Sequence, residues 1–222
     1  MRIALLGGTG DIGEGLALRW ADDTNHEIII GSREPERART KAQEYETELS
    51  SRGLDREIAG FRNEMAADRA DVVVLAVPPY YVTDTIDAIT DRLDDDTILV
   101  SPAVGIDRDE DGFHYAPPPT GSVLEHAADA VPDGVPLVGA FHNLPADRLA
   151  NLDAAIDFDT LVVGDDPDAK ETVRQLADGI DGLRALDAGG LGVAAEVETL
   201  TPLLINVAAN NEGMHDLGVE FK

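Results

Sequence analysis

The chain predicts an α/β fold: a doubly wound, mainly parallel sheet with a small C-terminal α/β lobe. Glycines at 8, 10 and 13 separate an apolar run, Arg2 to Gly7, from a stretch in which Leu16, Ala17 and Trp20 recur at helical spacing. Residues 71–77 read Asp-Val-Val-Val-Leu-Ala-Val, without the alternation of a half-exposed strand, as expected of a strand covered on both faces. Short apolar runs then alternate with amphipathic stretches almost to the end of the chain.

In order, Arg2 to Gly7 is strand, and Gly8, Gly10 and Gly13 fit G-x-G-x-x-G, the turn of a Rossmann-type unit. Gly8 is assigned to the tight turn, Gly10 to backbone approach to a pyrophosphate, and Gly13 to close packing of helix on strand. The following helix offers free N–H groups and its positive dipole end to phosphates. The stretch therefore predicts dinucleotide binding. The second strand, Glu27 to Gly31, selects the nucleotide. An acidic residue about 20 positions past the glycines would accept from a ribose 2′-hydroxyl; this chain has Gly31-Ser32-Arg33. A hydroxyl and a guanidinium suit a 2′-phosphate, with Arg37, and further along Arg39 and Lys41, adding charge, so NADP is expected over NAD.

Glu34 to Ser51 reads as an exposed helix with Ala38, Ala42 and Tyr45 inward, followed by a strand near Ile58 and a brief helix from Asn63 to Ala67. The strand at 71–77 ends in Pro78-Pro79, bordering the ligand crevice, so Val77 and Pro78 join the expected site. A helix over Tyr81 to Leu93 and a strand from Thr97 to Ser101 come next; Asp107 to Thr120 is read as loop with a stiff Pro117-Pro118-Pro119 connector. A helix from Val123 to Ala130 and a strand from Val135 to Ala140 close a nucleotide-binding unit at residues 1–140. Residues 141–222 form the small lobe, or continue the same domain. The lobe starts at Phe141-His142-Asn143-Leu144-Pro145, followed by a short helix, Ala146 to Leu152, and contains strands at 161–164 and 184–186 and a helix at 167–180. A Gly-rich turn from 187 to 192 precedes Val193 to Ala209, a helix whose Leu200, Leu203, Leu204 and Val207 exceed the needs of one core face. Most of that helix is expected in the core and part as a surface for a second copy, a homodimer or higher homo-oligomer.

Charge and composition exclude several classes. The 222 residues include 44 acidic and 17 basic ones, a net charge of −27 spread along the chain. Nucleic acid is excluded as a partner because there is no basic face. Dispersed acidity with only three lysines suits a salt-rich, halophilic cytoplasm, where screening removes self-repulsion. There is no cysteine for thiolate or disulfide chemistry, and the five histidines lack metal-ligand spacing. No charged-then-apolar leader opens the sequence and no apolar run is read as a membrane span, so a cytoplasmic protein is expected.

The chain resembles the archaeal NADPH-dependent reductases of the deazaflavin coenzyme F420, the F420:NADP oxidoreductases. The likeness is carried by Leu5 to Gly13, Gly31-Ser32-Arg33, Val100-Ser101-Pro102, Pro145-Ala146, Ala150-Asn151-Leu152-Asp153, Gly164-Asp165-Asp166, Ile180 to Arg184, Leu186 to Gly189, Leu200 to Leu203, and Leu217-Gly218. The resemblance implies NADP contacts from Thr9, Gly10, Asp11, Ile12, Ser32 and Arg33, with Arg37 where a lysine is usual, Thr85 matching another contact, and Tyr81 replacing a histidine. It implies Val104 and Ala146 as cofactor walls, and His142, Leu144, Pro145 and Leu217 beside F420 as co-substrate. Gly192-Val193-Ala194-Ala195 departs from a Ser-Asn-Ser-Arg-like segment, which would remove a positive group from the deazaflavin side; His142-Asn143-Leu144-Pro145 stands for His-Thr-Ile-Pro.

Hydride exchange between two cofactors asks little of side chains beyond stacking and exclusion of water. The sequence accordingly lacks a Tyr-x-x-x-Lys dyad or paired acid and base, and His142 is the one candidate for an orienting donor. Two other readings stay open: an NADP-dependent reductase of a small imine or ketone, for which a proton donor is required, and a non-catalytic NADPH-binding sensor or scaffold.

Overall fold

The computed structural model describes residues 1–222. Its elements are β1 (Arg2–Leu6), α1 (Asp11–Asp23), β2 (Glu27–Ser32), α2 (Pro35–Ser51), β3 (Ile58–Arg62), α3 (Asn63–Ala67), β4 (Val72–Leu75), α4 (Val82–Ile89), β5 (Ile98–Ser101), β6 (Ile106–Asp109), β7 (Gly112–Tyr115), α5 (Val123–Ala128), β8 (Leu137–Gly139), α6 (Ala146–Ala150), β9 (Phe158–Gly164), α7 (Pro167–Asp178), β10 (Leu183–Gly189), α8 (Ala194–Glu198) and α9 (Leu200–Asn210). Eight strands form one sheet in the order β10-β9-β8-β5-β4-β1-β2-β3. From β5 to β3 and at β8 the pairing is parallel, and the strand order reverses direction between β1 and β4, where such sheets open a crevice.

Both faces of the sheet are covered, and the chain divides its apolar residues accordingly. Ile3, Leu5, Ile28, Ile30, Val72 and Val74 face one core with Trp20, Tyr45 and Leu176 of α1, α2 and α7. Ala4, Leu6, Ile29, Val73 and Leu75 face the other with Ala66, Ile86, Leu124 and Val197 of α3, α4, α5 and α8. A period of two with both sets apolar is why these strands read as unbroken hydrophobic runs.

The last two strands join the same sheet, which is continuous across residues 140 and 141. β9 pairs antiparallel with β8 and parallel with β10. β9 and β10 therefore finish at the end of the sheet opposite to the carboxyl ends of β1, β2, β4, β5 and β8. Gly192–Ala195, expected on the deazaflavin side, lies at that far end: Leu191 donates its N–H to Asp165 (3.0 Å) and shares a hollow with Pro132 to Leu137, ahead of β8. Reversal of one strand moves the segment away from the crevice.

Three other expectations give way. Residues 106–115, read as loop, form the β6–β7 hairpin, turned at Gly112 (φ +129°). β6 is exposed throughout, so it carries no hydrophobic period; Asn206 of α9 holds β7, its Oδ1 accepting from Phe113 N–H (2.9 Å) and its Nδ2 donating to Phe113 O (2.6 Å). The helix expected over 193–209 is divided at Thr199 into α8 and α9, and only α8 joins the core. In α9 only Pro202 is buried, while Leu203 is 56% exposed, because this helix leaves the sheet face and overhangs the crevice end. Residues 191–210 are long and apolar enough to cross a membrane by length and composition alone, contrary to the reading of the sequence. The carboxylate of Glu198 interrupts them, fully buried and accepting from the N–H groups of Val123 and Leu124 (3.1 and 3.0 Å) and the Tyr115 hydroxyl (3.0 Å).

Candidate functional site

Two clefts open at the carboxyl ends of the parallel strands and meet at the glycine loop. The loop itself is set by backbone geometry. Gly7, not Gly8, makes the tight turn, with φ +81° and its N–H donated to Gly31 O (3.0 Å). Gly8 is excluded from larger residues by close approach, since a Cβ there would stand 2.9 Å from Leu5 O. A Cβ on Gly13 would stand 2.6 Å from Gly8 Cα, so this glycine lets α1 start directly under the loop. Gly10 is open: the only atom within 4 Å of such a Cβ is Gly7 O at 3.4 Å, and no side chain caps the first turn of α1. That leaves an unfilled cradle of N–H groups at a helix N-terminus. Tyr45, fully enclosed on α2, donates its hydroxyl to Gly8 O (2.8 Å) and braces the loop from below; burial pushes its ionisation upward, keeping it a donor.

The first cleft runs from this loop over the ends of β2 and β4, lined by Thr9, Gly10, Ser32, Arg33, Arg37, Val77, Pro78, Tyr81 and Thr85. Ser32 Oγ accepts from Glu34 N–H (3.2 Å), which leaves the hydroxyl proton to donate. The Arg33 guanidinium stacks 4.9 Å from the Tyr81 ring centroid. In a chain with 44 acidic residues, neither Arg33 nor Arg37 has a carboxylate within 4.0 Å. Arg39 and Lys41, by contrast, pair with Glu36 and with Glu14 and Glu44, and add no free charge. The sequence reading missed Asn63, at the end of β3: it is buried in this cleft, and its Oδ1 has no partner. The signal is a polar residue directly after the third strand, at the same end of the sheet as Ser32 and Val77.

The second cleft lies across the loop, between α1, the Asn143–Asp147 segment, α9 and the C-terminal residues. Asp11, Leu144, Pro145, Ala146 and Leu217 line it together with Thr201 and Leu204. Asp11 and Ala146, expected in the nucleotide cleft, thus border the second. The chain reaches this wall through Phe141, a left-handed residue (φ +67°) whose N–H is donated to Thr160 Oγ1 (3.0 Å) and whose ring meets Trp20 edge-on at 5.6 Å. Arg19, buried in α1, donates to the carbonyls of Leu149, Arg148, Asn151 and Ala154 (2.9, 3.1, 2.6 and 2.8 Å) and fixes α6 against α1; Asn151 is the member of the Ala150–Asp153 motif that takes part.

Gly8 and Gly13 serve the loop's packing without lining either cleft, and three expected side chains are not brought to either cleft. His142 is buried, with both ring nitrogens unpartnered and Cε1 packed near Gly139; its carbonyl accepts from Thr201 Oγ1 (2.7 Å). Burial lowers its pKa to about 4, so the ring is neutral at physiological pH. Val104 lines neither cleft, and Ile12 packs partly buried against the core.

Residues 2–105 match the family model described as NADP oxidoreductase coenzyme F420-dependent. The F420-dependent NADP reductase of Methanocaldococcus jannaschii is 40% identical over 212 residues, covering 93% of this chain and 92% of the relative. That of Methanothermobacter thermautotrophicus is 41% identical, covering 95% and 90%. A crystal structure from Arthrobacter sp. FB24, provisionally described as an F420-dependent NADP reductase, superposes with a TM-score of 0.80 at 25% identity and covers 100% of this chain and 99% of its own. Likeness at this level runs through both clefts and the strands that build them, and the chain is a member of the F420-dependent NADP reductase family.

Proposed function

We propose that this chain transfers hydride reversibly between NADP(H) and coenzyme F420, with NADP in the first cleft and the deazaflavin in the second. One observation carries the division of labour: an unpaired arginine pair and an open glycine cradle in one cleft adjoin, across Gly10 and Asp11, a second cleft that holds no lysine or arginine and sets Leu144, Pro145, Leu204 and Leu217 among the carboxylates of Asp11, Asp147 and Asp216. The first cleft suits NADP on its own residues. Gly10 leaves space for a pyrophosphate, Asn63 Oδ1 awaits a donor, and Ser32, Arg33 and Arg37 supply a proton and two charges for a 2′-phosphate. Leu144, Pro145 and Leu217 offer flat contact to a ring system, and Thr9 to Gly13 lie between. When bound, the nicotinamide and the deazaflavin supply the redox chemistry; the chain brings them together and excludes water. His142, neutral and turned into the core, acts through its backbone and not as an acid. That weighs against a small imine or ketone, for which a proton donor is required. We place the reaction in the cytoplasm, and a second copy of the chain over the exposed Leu203 and Val207 of α9.

The test is spectrophotometric: purified protein in molar KCl with oxidised F420 and either NADPH or NADH. Loss of deazaflavin absorbance with NADPH and far less with NADH is the expected result. Persistent absorbance with both nucleotides would sink the assignment.

A further inference from the structure

The C-terminal residues that border the second cleft are fastened at a point remote from it. Gly218 lies flat on Phe158, where a side chain would enter the ring. Val219 then accepts the Asp159 N–H at 2.7 Å, forming a one-residue antiparallel bridge beside β9. Phe221 closes the fastening: its N–H is donated to Asp159 Oδ2 (2.6 Å) and its carbonyl accepts from Arg184 Nη2 (2.6 Å). Arg184, on β10, also grips the Asp159 carboxylate bidentately, Nε to Oδ1 and Nη2 to Oδ2, both at 2.7 Å. Asp159 is 1% exposed, and the guanidinium holds its carboxyl below the usual carboxylate range.

The same residue carries the opposite wall. Asp159 O accepts from Asn143 Nδ2 (2.7 Å), and the neighbouring Thr160 Oγ1 lies 3.4 Å from Asn143 Oδ1 while accepting from Phe141 N–H. Asn143 and Leu217 both line the second cleft. One buried aspartate therefore sets the spacing of two walls that lie 74 residues apart in the sequence (217 − 143).

We propose that Asp159, Arg184 and Gly218 are positioning residues for the acceptor: the Asp159–Arg184 latch holds the strap of residues 217–221 so that Leu217 keeps its place in the second cleft with Leu144. The inference rests on the reading of the second cleft as the deazaflavin site. None of the three residues touches that ligand's cleft, so their effect passes through the strap and through Asn143.

The experiment uses Arg184→Gln, the conservative Arg184→Lys, and Gly218→Ala, which lifts the strap while leaving the latch residues intact. Binding is read without turnover, from quenching of deazaflavin fluorescence, beside NADPH binding, thermal midpoint and amide exchange at Phe221. Arg184→Gln and Gly218→Ala are expected to weaken the deazaflavin about tenfold, with NADPH unchanged within about twofold and faster exchange at Phe221; Arg184→Lys recovers part of the loss. Equal weakening of both ligands in step with the thermal midpoint would reduce the latch to general support, and unaltered deazaflavin binding with a loosened Phe221 would remove the strap from the site; either overturns the proposal. A wild-type protein that binds deazaflavin without turnover would refute hydride transfer and leave the latch to be judged by binding; one that neither binds nor reduces it refutes both.

Discussion

At the scale of single residues, the determining feature of the first cleft is an excess of unpaired positive charge. Arg33→Ala is expected to weaken NADP by roughly 1.5 to 3 kcal/mol, the range for a hydrogen bond to a charged group, and to leave NAD nearly unchanged. Titration of both nucleotides checks this, and equal losses would remove the 2′-phosphate from the account. Ser32 and Arg33 were legible because strand ends can be read from hydrophobic runs. That Arg39 and Lys41 are spent on neighbouring carboxylates was not, since side chains separated by a helical turn choose partners by geometry that spacing alone leaves open. His142 shows the same limit: the motif placed it correctly in the chain, but a left-handed Phe141 turns the following ring inward. Its lowered pKa makes a pH prediction. Below its ordinary value near 6.5 the unfolded chain takes up a proton that the folded one refuses until about pH 4. Stability therefore falls as the pH drops through that window, by up to about 3 kcal/mol. His142→Leu should flatten the slope of thermal midpoint against pH between 6.5 and 4; an unchanged slope would assign it to other groups.

Among the elements, α1 does the most joining: its N-terminus forms the loop, and its Arg19 gathers four carbonyls from the segment after the second-cleft wall. Replacing Arg19 by Leu leaves those buried acceptors unpaired and is expected to cost roughly 2 to 4 kcal/mol, read as a lower urea midpoint with an unchanged slope. Tyr45→Phe deletes one hydrogen bond under Gly8 and keeps the packing, so NADP affinity should drop about fivefold, near 1 kcal/mol, with little change in deazaflavin binding. Elements whose faces alternate between core and solvent, or are buried throughout, could be read in advance. The β6–β7 hairpin and α9 could not: the former has no buried face, and the latter places apolar residues over a cleft and in solvent, where composition mimics a core helix.

For the whole molecule, electrostatics is dominated by a net charge of −27 whose repulsion opposes the compact state. Thermal midpoints should climb steeply between dilute buffer and molar KCl, while NADP, on the proposed contacts to Arg33 and Arg37, should bind more weakly as those ion pairs are screened. A midpoint insensitive to KCl would contradict the first half. The doubly wound character of the sheet was legible from strand and helix alternation, and the crevice at the end of β4 from Pro78-Pro79 after an unbroken apolar run. The antiparallel insertion of β9 was not, because pairing direction depends on where the chain returns, and the segment from Phe141 to Asp157, with only the short α6 in it, carries no signal of that direction.

That reversed strand also sets an order in time. Residues 7–88 supply the whole lining of the first cleft, whereas the second needs the chain to travel down β9 and β10, return through α8 and α9, and deliver Leu217 last. A polypeptide emerging from the ribosome thus carries every residue of the first cleft long before it carries those of the second. Shortened or clipped at residue 216, it would keep the whole lining of the first cleft and lose the Leu217 wall of the second.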